Sequence, residues 1–216
     1  MGTVLNNTES YSRLGFKANN ALLFANRPSA AQYANEIVFF SDVGTSGSHW
    51  VSNGTYWSPL GGEVTLAQSG SSVSLTGTIT ETVLATYTLP ANLVAPWSTI
   101  EMFHTWSYTN SANSKTIRTK HCAVGGGITG DTYYSYASTT TATLQAFTAI
   151  RCNNSLSSQK GWGIGTTGPS GYGTISSTLR AFTRGLTSAS DINLTAQLAN
   201  TGETITLVGY TIVLKG

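Results

Sequence analysis

Apolar and polar residues alternate one for one along most of this chain, and a period of two is the signature of half-buried strands rather than helices. Ile100, Met102, His104, Trp106 and Tyr108 share one face, opposite Thr99, Glu101, Thr105 and Ser107. Glu81, Val83, Ala85, Tyr87 and Leu89 alternate with Thr82, Leu84, Thr86 and Thr88. Leu144, Ala146, Thr148, Ile150 and Cys152 form a third such face, and Ile192, Leu194, Ala196 and Leu198 a fourth. Ile37–Phe40 is a short apolar strand. In the last strand the parity slips: Ile205 and Leu207 are odd, while Tyr210, Ile212 and Leu214 are even. Gly209 lies at the slip, which predicts a β-bulge there. The best helical segment is one turn at Pro28–Tyr33. Many short strands without helices predict an antiparallel β-sandwich or barrel.

The segment HWVSNGTYWSPLGG, residues 49–62, crowds two tryptophans and a tyrosine around Asn53-Gly54. Asn-Gly favours a two-residue type I′ hairpin turn. Such a turn would set Ser52 opposite Thr55, Val51 opposite Tyr56 and Trp50 opposite Trp57. An isolated hairpin is marginal in water, so these rings are expected to pack against the rest of the chain or against another subunit. The same reasoning makes His104 and Trp106, on an apolar strand face, packing or interface groups. The chain then divides into an N-terminal arm at 1–35, a hairpin neck at 36–62 and a sandwich of ordinary domain size at 63–216.

Only 9% of residues are charged and the formal net charge is +2, which gives little pull toward nucleic acid or anionic lipid. No run of apolar residues is long enough to cross a membrane as a helix. The N-terminus has no basic-then-apolar signal pattern, so synthesis in a cytosol is expected. Cys122 and Cys152 read as small buried residues, with their pairing left open. No cofactor motif and no metal-ligand spacing occurs, and His121 and Cys122, as strand neighbours, point to opposite faces. Catalytic residues are not identified. Asp42, Asp131 and Asp191 are scattered, and only their meeting a glutamate in space would revive a glycosidase. Lys115, Arg118, Lys120 and His121 form the one basic concentration, with Arg118 and Lys120 on one face. That pair, together with Trp162 and Tyr172 in an expected glycine-rich loop at 161–173, makes up the candidate receptor contacts.

The run FFSDVGTSGSHWVSNGTYWSPLGGEVTLAQSG resembles a segment of the fibre and spike proteins of tailed bacteriophage virions. WSYTNSANSKTIRTK and DINLTAQLANTGETITLVGYTIVL resemble the C-terminal jelly roll of the same group, so the likeness spans roughly residues 28–216. It implies an all-β jelly roll displayed on the particle, commonly as a homotrimer. The arm at 1–35 would anchor it to a capsid or tail protein, and a bacterial surface glycan is the candidate ligand. A head decoration protein and a carbohydrate-binding module are the alternative readings.

Overall fold

The structure, a computed structural model, describes residues 22–166 and 180–216. Fourteen strands occur among them, and every pairing between them is antiparallel. Alternation again dictates where they go: each strand sets its apolar parity against a facing sheet.

The first three strands, β1 (Ile37–Phe40), β2 (Ser48–Ser52) and β3 (Trp57–Pro59), form a small sheet of their own. The sandwich follows. Its larger sheet runs β12 (Arg180–Phe182), β11 (Gln159–Thr166), β10 (Thr143–Cys152), β7 (Thr99–Tyr108), β14 (Thr204–Lys215), β4 (Glu63–Ser69), with β5 (Val73–Thr76) pairing the first half of β14. The facing sheet runs β6 (Thr82–Leu89), β13 (Ser190–Leu198), β8 (Lys115–Ala123), β9 (Asp131–Ser138). The fold is an all-β antiparallel sandwich, one of the two architectures that the alternation predicts.

The bulge in β14 falls where the parity slips. Its pairing with β7 shifts register between Leu207 and Gly209. Gly209 is needed there because a Cβ would meet the Ser69 carbonyl oxygen at 2.8 Å.

The stretch 161–173 was expected to be a glycine-rich loop, and its first part is strand β11 instead. The cause is close approach rather than flexibility. Gly161 and Gly163 face inward, where the Tyr133 and Tyr134 rings of β9 lie against the β11 backbone. A Cβ at either glycine would sit 2.2 Å from a ring carbon. Trp162, on the other parity, therefore faces outward.

Two apolar clusters form among the described residues. One holds Trp106, Ile117, Leu144, Leu194, Ile205 and Leu207 within the sandwich. The other runs from Met102, Ile100 and Leu214 into the small sheet, taking in Phe40, Trp50, Trp57 and, from the arm, Phe24. The small sheet and the sandwich thus share one core. The described part of the arm, 22–35, packs on this core rather than extending from it. Leu22 bridges to Phe40, two short 3-10 turns follow at Phe24–Asn26 and Ala30–Tyr33, and the Ser52 hydroxyl donates to the Ala30 carbonyl at 2.6 Å.

Candidate functional site

The hairpin differs from its sequence reading in register. Strands β2 and β3 pair Trp50 with Pro59, Val51 with Ser58 and Ser52 with Trp57, leaving a four-residue loop at 53–56. The reason is the Asn53 side chain. Its Oδ1 accepts from the amides of Thr55 at 2.9 Å and Tyr56 at 2.8 Å, closing the longer loop locally. Gly54 supplies the positive φ of 85°. Trp50 is fully buried, Trp57 nearly so, and Phe40 meets both edge-on. Trp57 Nε1 donates to the Pro28 carbonyl at 3.0 Å, tying hairpin to arm. Tyr56 is half-buried and set edge-on to Trp97, 5.3 Å between centroids. The hairpin rings are therefore satisfied within this chain.

Docking the small sheet on the end of the sandwich leaves a cleft of about 400 Å³. Its walls come from the arm, the hairpin loop and two sandwich loops, and they include Arg27, Tyr56, Trp57, Asn92 and Val94.

His104 and Trp106 lie inside the sandwich. Trp106 Nε1 donates to His104 Nδ1 at 2.6 Å, so the ring proton sits on Nε2, 3.3 Å from the Thr148 hydroxyl. Thr148 in turn meets Thr119 of the opposite sheet at 3.0 Å. The chain of contacts crosses between sheets at the boundary of the two apolar clusters. Burial pushes the His104 pKa down to about 3. His121 also faces inward, 2.7 Å from the Ser190 hydroxyl, and burial lowers it to about 4, helped by Arg184.

The expected outward cations are engaged. Glu81 binds Arg118 at 3.1 Å and Lys120 at 3.2 Å and accepts from the Thr195 hydroxyl. Lys120 is buried, and its ammonium donates to the Ile128 carbonyl at 2.6 Å under the 124–130 loop. As a receptor contact Lys120 is corrected, because the loop and Glu81 take its charge out of the surface; Arg118 stays half-exposed. Trp162 is half-buried on the outer face of the larger sheet, level with Ala149. The neighbouring ring pair Phe103–Phe147, 4.9 Å between centroids, lies on that same face, with Phe103 half-exposed. Tyr172 lies outside the described residues.

Among the described residues the scattered aspartates are engaged by groups other than glutamates. Asp42 accepts from the Phe24 amide at 2.7 Å, Asp131 pairs with Arg184 at 3.6 Å, and Asp191 accepts from Thr88 and the Gly125 amide. Cys122 and Cys152 are unpaired and buried, in different sheets. Among the described residues no group of three or more His, Cys, Asp and Glu is placed to hold a metal ion, and no helix is long and apolar enough to cross a membrane.

Sequence reasoning missed one polar cluster. Lys115 is fully buried and lies 3.7 Å from Glu203 and 2.8 Å from the Ser111 hydroxyl; Ser111 and Asn113 both donate to Glu203. The cluster fastens the β7–β8 loop to the β13–β14 turn. A signal was present, because Lys115 shares the inward parity of Ile117 and Thr119. The Arg27 cleft gave no such signal, since its walls are distant in sequence.

No family model matches this chain, and no curated protein matches it.

Proposed function

We propose that this chain is a structural protein of a tailed-bacteriophage virion, of tail-fibre or head-fibre type, which displays a trimeric jelly roll for host-surface attachment. The segments that resemble such proteins occupy coherent places in the fold: the first spans the small sheet and β4, the others β7–β8 and β13–β14. The strand orders β4-β14-β7-β10 and β6-β13-β8-β9 support the jelly roll, because successive strands cross between two four-stranded layers in that pattern. Fold alone does not imply function.

The observation that carries the reading is the outer face of the larger sheet. In a chain poor in charge, Phe103, Phe147 and Trp162 set their rings on one face. Burying such a face between copies around a three-fold axis is a closed solution that leaves no open edge. The arm at 1–35 carries the proposed attachment to capsid or tail.

Phage particles lacking the chain test this directly. Loss of adsorption, restored by adding the purified protein, is expected. Unimpaired adsorption with heads that break on heating would favour the decoration reading. Glycan binding by the purified full chain, with no place on the particle, would favour the carbohydrate-binding module.

A further inference from the structure

We propose that the cleft between the small sheet and the sandwich is a binding site for an acidic sugar, a saccharide unit bearing a carboxylate or phosphate. The cleft of about 400 Å³ falls within the range of small-ligand sites, which commonly lie at seams between structural units.

Its chemistry is asymmetric. Among the described residues Arg27 is the one ionisable cation that lines it, and no described carboxylate does. The guanidinium lies 4.2 Å over the Phe24 ring, and its Nη1 donates to the Phe24 carbonyl at 2.9 Å. Those two contacts fix the plane of the group while leaving most of its N–H donors free of that bond. No described carboxylate is within ion-pair distance of it. Partial burial lowers its pKa, so the charge is incompletely solvated where it stands. A planar, pre-oriented guanidinium is suited to bidentate capture of a carboxylate or phosphate.

The remaining walls suit a polyol. Tyr56 offers a ring held in place by Trp97, with a hydroxyl at its tip. Asn92 sits at positive φ, 55°, and spends its Nδ2 on the Thr187 carbonyl, which leaves Oδ1 to accept from a sugar hydroxyl. Ser29 also lines the cleft, and Val94 and Leu156 contribute apolar wall. One anion clamp, an aromatic face, neutral hydrogen-bonding groups and a short apolar wall are the components of an acidic-sugar site. The inference does not depend on the virion assignment: titration of the isolated chain reads the cleft, while the particle experiments read location.

The test is intrinsic-fluorescence titration of the full chain, because Trp57 lines the cleft and Trp97 holds Tyr56. The probes are glucuronate, glucose 6-phosphate, glucose and inorganic phosphate at low ionic strength. Saturable binding of glucuronate identifies a carboxylate sugar, and binding of glucose 6-phosphate a phosphosugar. Either supports the site if glucose binds about tenfold more weakly or worse. Arg27→Gln is expected to weaken binding about tenfold or more, with Lys215→Gln, an exposed cation outside the cleft, unchanged as the control. Should Arg27→Gln unfold, as judged by circular dichroism, Arg27→Lys and Tyr56→Ala serve in its place, each expected to weaken binding. Binding of neither acidic sugar at millimolar concentration overturns the proposal. So does equal binding by the wild type and by the folded cleft variants, and inorganic phosphate binding as tightly as the phosphosugar removes the sugar assignment.

Discussion

Buried histidines set how this molecule responds to acid. In the fold, Trp106 already donates to His104 Nδ1, so a second proton there would face a donor. Both histidines titrate below their ordinary value, at about 3 and about 4, because burial opposes the charged form. The unfolded chain, with histidines near 6.5, therefore takes up protons first as pH falls. The stability they contribute is complete above about pH 6.5 and is lost progressively toward the folded values. Urea denaturation should show a loss of about 2 kcal/mol per histidine between about pH 7 and about pH 5. An unchanged midpoint over that window would contradict the burial of these rings. The inward glycines of β11 give a second residue-level test. Gly163→Ala places a Cβ against the Tyr134 ring and should lower stability by about 1–3 kcal/mol, read as a shifted urea midpoint at constant slope. A midpoint equal to wild type would mean that the ring does not lie on the strand.

At the scale of elements, the small sheet is a plug on one end of the sandwich core. Phe24, Phe40, Trp50 and Trp57 belong to the same cluster as Ile100, Met102 and Leu214. Trp57→Ala removes a ring and its bond to the Pro28 carbonyl, and should cost about 3–5 kcal/mol. Removing residues 1–62 should do more, exposing the sandwich end and lowering the melting temperature of 63–216; an equally stable fragment would show that the two parts are independent. The strands themselves were legible, because alternation at 99–108 or 190–198 is a local pattern that a sheet enforces. The parity slip even located the bulge in β14. Hairpin register was not legible: Asn-Gly suits a two-residue turn, but the Asn53 side chain closes a four-residue loop. Nor was β11, since glycine marks both loops and backbones pressed by a ring, and only the tyrosines of β9 decide which.

At the scale of the whole molecule, sequence pattern specified the sandwich but not what its surface offers. Lys120 read as an outward cation, yet Glu81 and the 124–130 loop, distant in the chain, enclose it. The cleft draws on four separate stretches and exists only after the small sheet docks. The proposed assembly uses a different surface, the aromatic outer face of the larger sheet. Phe103→Ser with Phe147→Ser should leave the fold intact and shift the purified protein from trimer to monomer in native mass spectrometry; a trimer that survives both changes would place the interface elsewhere. The most direct test of the account is gold labelling of purified tailed-phage particles with an antibody to the folded chain, viewed by electron microscopy. The account predicts label at discrete fibre or head positions on intact particles, and particles that carry no label, although the chain is made in the infected cell, would contradict it.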